Sequence, residues 1–163
     1  VSFRILFVCS GNTCRSPLAE VIARRTFREH GWDDVDVASA GTFATDGGRV
    51  SAGSLEVARA NGLDLEAFES RALTPEEIGR ADLILVMEPG HRSAVLGLDP
   101  QADTKTLLVG EPAGREGADA AVPDPFGSTA EAYRAVYRKI DELIRDGLDR
   151  IGELARRKRA ERS

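Results

Sequence analysis

Cys9 and Arg15 bracket the segment Cys9-Ser10-Gly11-Asn12-Thr13-Cys14-Arg15, and these residue types at this spacing suit phosphoryl chemistry. A thiolate is a strong nucleophile, and a guanidinium presents its donors in a planar fork that matches two phosphoryl oxygens. Between them, the backbone N–H groups of a tight turn can surround three phosphate oxygens, and a helix opening at Arg15 would add positive potential. Gly11 admits a close or left-handed backbone approach, and Asn12 tolerates an unusual turn conformation. Ser16 can donate a hydrogen bond to the sulfur and ease its later departure. Attack of Cys9 on phosphorus would give a phosphocysteine while Arg15 holds the phosphoryl oxygens. Taken singly, a cysteine after an apolar run, a Gly-Asn turn and a surface arginine are ordinary; their order in one segment carries the argument. The segment lacks the Gly-Lys-Ser/Thr ending of a nucleotide-binding loop, so phosphate binding here does not imply ATP.

Such a loop needs a strand before it and a helix behind it. Residues 5–8, Ile-Leu-Phe-Val, read as a buried strand. Ser16-Pro17 reads as a helix start, with Ser16 as the cap and apolar residues at Leu18, Val21, Ile22 and Phe27 running to about His30. The spacing predicts further strands over 35–39, 82–87 and 106–109. Helices are expected over 51–61, from Thr74 as a cap, and over 90–96. A last amphipathic helix is expected through Ala132, Val136, Ile140, Leu143 and Ile144, capped by Ser128 or Thr129. Residues 110–127 are rich in Gly, Pro and Asp and too long for a simple turn, which favours a functional loop. Strands alternating with helices imply an α/β fold: a three-layer domain with a central four-stranded parallel sheet and helices on both faces. Residues 1–163 read as a single domain, with the basic stretch in 156–163 a flexible tail.

Composition narrows the function. The 163 residues carry 22 Lys plus Arg against 27 Asp plus Glu, a net charge of -5 that argues against a nucleic-acid partner. No apolar run approaches the roughly 18 residues of a membrane helix, and no signal-peptide pattern opens the chain, so no membrane partner and a cytoplasmic location are expected. Two cysteines make a poor disulfide framework and favour a reducing compartment. Their closeness allows a reversible Cys9–Cys14 disulfide. The chemistry calls for no metal and no cofactor, because the loop and Arg15 already stabilise the phosphoryl oxygens.

Cleavage also needs an acid for the leaving group and then a base for water, and one carboxyl group can serve in turn. Asp124, in the 110–127 loop and restrained by Pro125, can approach Cys9 from the same sheet edge; Asp119 competes nearby. The run Phe7-Val8-Cys9-Ser10-Gly11-Asn12-Thr13-Cys14-Arg15-Ser16-Pro17-Leu18-Ala19-Glu20 resembles the signature of low-molecular-weight protein-tyrosine phosphatases. Ser39-Ala40-Gly41, the segment Ala81 to Met87 and Pro123-Asp124-Pro125-Phe126-Gly127 extend the likeness over most of the chain. The resemblance implies a phosphorylated protein as substrate and a catalytic set of Cys9, Arg15 and Asp124, with Asp124 the general acid and then base. It implies supporting roles for Asn12 and Ser16, Ser39 as the partner of Asn12, and Phe126 as a wall of the substrate entrance. Phe68 stands where the tyrosine-phosphatase pattern often has His, so one polar support is missing. His91 has no second ligand or motif beside it and is assigned a surface or local structural role.

Thr13 bears on the substrate. Many tyrosine-directed members carry a longer aliphatic residue there, whereas Thr13 and Phe126-Gly127 resemble the bacterial protein-arginine phosphatases. A methyl that narrows the pocket beside a polar oxygen would change preference without moving Cys9. Phosphoarginine is therefore the expected target and phosphotyrosine the alternative. An arsenate reductase would need further redox cysteines than Cys9 and Cys14, and a noncatalytic phosphate-binding module is the remaining reading.

Overall fold

The computed structural model describes residues 2–163. Four parallel strands make the sheet: β1 (Phe3–Cys9), β2 (Val35–Gly41), β3 (Leu83–Val86) and β4 (Thr106–Leu108), in the order β2-β1-β3-β4. Six α-helices surround it: α1 (Arg15–Glu29), α2 (Ala52–Ala60), α3 (Pro75–Arg80), α4 (Pro89–Leu98), α5 (Ala130–Asp146) and α6 (Leu148–Arg162). This is the three-layer α/β arrangement the alternation of elements predicts.

The two-residue period of β1 assigns the layers. Phe3, Ile5, Phe7 and Cys9 join a core with Leu18, Ile22 and Phe27 of α1, Val57 of α2, Ile140 of α5 and Ile151 of α6. Leu6 and Val8 turn to the opposite face and join Ile78 of α3 and Val95 of α4. All four residues of β3 are buried, as a strand covered on both faces requires. Burying a side chain such as Ile22 or Ile140 contributes about 1.5–3 kcal/mol. The spacing Tyr133, Val136, Tyr137, Ile140, Leu143, Ile144 turns one face of α5 inward, and the Thr129 side chain caps it by accepting from the Ala132 N–H.

The strand order creates the crevice. From β1 the chain continues into α1 on one face; from β3 it continues into α4 on the other. The two loops part at the carboxyl ends of adjacent strands, the position where open α/β sheets bind ligands.

Three expectations are revised. The first helix begins at Arg15 with Cys14 at its cap position and no side-chain cap; the Ser16 hydroxyl is engaged elsewhere, at the loop sulfur. The terminal helix is two helices, parted at Gly147, which lies against Pro112. Residues 156–163 are no flexible tail: α6 continues to Arg162, because its cations find fixed anions, Arg159 on Asp34 at 2.8 Å and Arg162 on Asp82. Asp82 is nearly buried and also accepts the Arg4 N–H at 2.9 Å, so its carboxylate needs that partner.

Deleting residues 156–163 is therefore expected to destabilise the fold by about 1–2 kcal/mol, about 2–8 °C in Tm for a chain of this size. Thermal unfolding followed by circular dichroism checks this; an unchanged Tm would mean the last two turns of α6 add nothing.

Candidate active site

The loop between β1 and α1 holds its shape because its carbonyls are committed outward. Thr42 N–H donates to Cys9 O at 2.9 Å, Phe43 N–H to Ser10 O at 2.9 Å and Ser51 N–H to Thr13 O at 2.8 Å. Ser54 Oγ donates to Cys14 O at 3.2 Å. Four of the loop's carbonyls are thus spent on the surrounding chain, at Cys9, Ser10, Thr13 and Cys14, and do not compete for the cleft, which suits a site for an anion. Gly41, at the end of β2, is pressed against this loop. A Cβ there would lie 2.4 Å from Ser10 O and 2.8 Å from Asn12 N.

Asn12 is the buried hub, and the one described non-glycine residue with positive φ, 53°. Its Oδ1 accepts from the Arg71 backbone N–H at 2.9 Å, which settles the orientation of the amide because that backbone group can only donate. The Nδ2 then donates to Ser16 Oγ at 2.8 Å and to Ser39 Oγ at 3.0 Å. Ser39 in turn donates to Glu20 Oε1 at 2.8 Å. Ser16 Oγ lies 2.9 Å from Cys9 Sγ, and with one lone pair taken by Asn12 its proton is free for the sulfur. A continuous polar chain thus runs from Glu20 to the Cys9 thiol. Phe68, in place of a polar support, is half-buried and packs on the core.

Arg15 is a nearly fully buried cation, so it must be paired. Its Nη1 donates to Val122 O at 2.9 Å and pairs with Glu88; its Nη2 lies 3.8 Å from Asp124 Oδ2. Val122 is itself tied to the end of β3 by its N–H on Met87 O at 2.9 Å, which brings the long loop and Asp124 to the sheet edge. Asp124 Oδ1 accepts the Phe126 N–H at 3.0 Å, an Asx turn that leaves the carboxylate half-exposed over the cleft. Asp119, the competing carboxylate, lies in the short 3-10 turn Gly117–Ala120 and does not line the cleft.

The cleft has a volume of about 310 Å³, and its wall includes Cys9, Ser10, Gly11, Thr13, Cys14 and Arg15 with Phe43, Asp124 and Phe126. All but three of the site residues expected from the sequence meet on this wall; Asn12, Ser16 and Ser39 stand behind it. Both cysteines are free thiols, and Cys14 Sγ donates to Ser51 Oγ at 3.2 Å. Three participants escape sequence reasoning. Phe43, 88% exposed, stands at the mouth with Phe126, 70% exposed, and its only signal is an aromatic residue in a polar loop. Glu88 could have been found from its place just beyond β3 at the crevice. His91, expected at the surface or in a local role, is 6% exposed and lies behind the loop, with Nε2 2.9 Å from Ser10 Oγ. Burial, then the Arg15 charge, push its imidazole below the ordinary range, while Glu88 and Asp124 pull it back.

A free thiol and a buried guanidinium in one anion loop, with a carboxylate across the cleft, define a cysteine-type phosphatase site on an α/β sheet. Residues 4–159 match the family model described as low molecular weight phosphotyrosine protein phosphatase, and the chain belongs to that family. It is 36% identical over 151 residues to a protein-arginine-phosphatase of Geobacillus stearothermophilus, covering 93% of this chain and 95% of that one. It is 32% identical over 147 residues to the low molecular weight protein-tyrosine-phosphatase Etp of Escherichia coli K12, covering 90% and 93%. Among solved structures, a YwlE arginine phosphatase mutant with a phosphorylated active-site serine superposes with a TM-score of 0.82 at 32% identity, covering 88% of this chain and 92% of that one. The protein is thus a phosphatase of this family, and among its described residues no helix is long and apolar enough to cross a membrane.

Because the loop must shift to admit a methyl at position 41, Gly41→Ala is expected to lower phosphatase kcat/KM by about a hundredfold. Steady-state kinetics beside a Tm measurement checks this: full activity in a folded variant would show that the loop tolerates displacement.

Proposed function

We propose that this chain hydrolyses phosphoarginine in proteins, with Cys9 as nucleophile, Arg15 as phosphoryl clamp and Asp124 as acid and then base. The observation that carries the reading is the convergence of these three side chains on one cleft walled by Thr13 and Phe126. In the first step Cys9 sulfur attacks phosphorus, the P–N bond to the guanidino group breaks, and Asp124 protonates the departing nitrogen. In the second step Asp124 accepts a proton from water, which attacks the phosphocysteine and releases phosphate and the Cys9 thiolate. The Ser16 hydroxyl stabilises the sulfur in both steps, and the loop amides with Arg15 hold the equatorial oxygens. The resident chemistry calls for no cofactor.

Arginine is favoured by Thr13 on the cleft wall and by the arginine-phosphatase relative. Phosphotyrosine is the second reading, favoured by the two exposed aromatic side chains at the mouth and by the tyrosine-phosphatase relative. The nucleophilic thiol fits a reducing compartment, which supports the cytoplasm as the location. Cys14, on the same wall, is the proposed partner of Cys9 if peroxide oxidises it, forming a disulfide with loss of water.

Two experiments test the reading. Cys9→Ser should abolish turnover with the fold intact, and Asp124→Asn should slow it most on poor leaving groups; normal rates in either variant would move that role elsewhere. On matched phosphoarginine and phosphotyrosine peptides, kcat/KM should favour phosphoarginine, and Thr13→Ile should shift the ratio toward phosphotyrosine by about tenfold or more. A strong phosphotyrosine preference in the unmodified protein would reject the arginine assignment.

A further inference from the structure

Ser10 lines the cleft, and one backbone group behind it fixes which way its hydroxyl can point. The Glu88 N–H, which can only donate, meets His91 Nδ1 at 3.1 Å, so Nδ1 is the acceptor and the ring proton sits on Nε2. Nε2 lies 2.9 Å from Ser10 Oγ; the imidazole therefore donates, the serine oxygen accepts, and the serine's single proton is left for another acceptor. Ser10 is partly buried and lines the cleft, so the cleft is where that proton can meet an acceptor.

We propose that His91 is a positioning residue for phosphoryl binding: its Nε2–H holds Ser10 so that the serine hydroxyl donates into the cleft, onto a phosphoryl oxygen. The proposal rests on the phosphatase reading of the loop. It requires the neutral ring, because a proton on Nδ1 would face the Glu88 N–H donor-to-donor and set a second cation beside Arg15. The charged groups around the ring are Arg15 from α1, Glu88 ahead of α4 and Asp124 from the long loop. Burial and Arg15 act together to keep the ring neutral, against the two carboxylates.

Two substitutions separate positioning from mere tethering of α4. In His91→Asn, Oδ1 stands where Nδ1 stood and keeps the Glu88 N–H bond, but the side chain is too short to reach Ser10. In His91→Gln, the amide NH2 reaches the place of Nε2 and keeps a donor on Ser10 while leaving the Glu88 N–H. The readouts are the dissociation constant of inorganic phosphate, by NMR titration, and kcat and KM on an aryl phosphate. His91→Asn and Ser10→Ala should each weaken phosphate binding about tenfold, as for a hydrogen bond to a charged group. His91→Gln should stay within about threefold of the unmodified protein, and Ser10→Ala with His91→Asn should be no weaker than Ser10→Ala alone. Additive losses, or loss in His91→Gln with retention in His91→Asn, would overturn the proposal. If His91→Asn fails to fold, Ser10→Ala decides with His91→Gln: unchanged phosphate affinity in the serine variant overturns it, and weakened affinity beside a retained His91→Gln supports it. Phosphate titration needs no turnover, so retained activity in Cys9→Ser would sink the phosphatase reading without touching this measurement.

Discussion

The Arg71 backbone N–H on Asn12 Oδ1 is the bond on which the rest of the site depends. A carboxamide can be turned over at little cost in solution, and turned over here it would set NH2 against a backbone donor. Because that is forbidden, Asn12 Nδ2 must donate to Ser16 and Ser39, and the proton of Ser16 is left for Cys9. The same bond helps hold Asn12 in its left-handed conformation, which costs a non-glycine residue of order 1 kcal/mol and folds the loop into a cradle. Fixing one amide thus fixes both the path of the backbone and the direction of the hydrogen bonds that end at the sulfur.

A comparable economy operates on the charges. Arg15 is buried at the base of the cleft, and a bare buried cation would cost several kcal/mol. The topology supplies its partners without a dedicated element. Parting of the chain at β1 and β3 leaves Glu88 at the start of α4 on one side, and the Val122–Met87 hydrogen bond draws the long loop to the other, bringing Val122 O and Asp124. Glu88 and Asp124 are both partly exposed, so water screens their attraction and the guanidinium is held without being neutralised outright.

The sheet and its layers were legible because apolar runs over 5–8 and 83–86 carry no alternation, which demands cover on both faces, and because cap and proline signals mark the helices between them. The cradle was legible because its residues are contiguous. Ser39 needed the family likeness, since nothing local says that a residue 27 positions beyond Asn12 shares its site; the long loop offered both Asp119 and Asp124, and the likeness chose between them. Glu88, His91 and Phe43 were missed for a related reason: their place depends on which strands are neighbours, and a single sequence gives the layers more readily than the order. His91 looked isolated because its partners are Ser10, 81 positions away, and a backbone N–H that no sequence displays. The basic end misled in the opposite sense. Arg159 and Arg162 resemble a solvated run until Asp34 and Asp82, distant in sequence, are seen to lie beneath them.

The site divides by solvent exposure into two parts with different freedom to vary. Behind the cleft wall, Asn12, Ser16, Ser39 and His91 are buried and linked by hydrogen bonds with fixed directions, so a change at any one leaves a donor or acceptor unpaired in a low dielectric. At the mouth, Phe43 and Phe126 are mostly exposed and hold no such bonds through their side chains. Replacing either costs little folding energy, because little apolar area is removed from water by the fold itself. Thr13 stands between the two regimes, on the wall but with its Oγ1 only 3.9 Å from Cys14 Sγ, a contact too long to demand a hydroxyl. Residues 13, 43 and 126 can therefore vary without disturbing the hydrogen bonds that shape the loop around Cys9 and Arg15, which leaves the proposed substrate wall free to change on a fixed cradle.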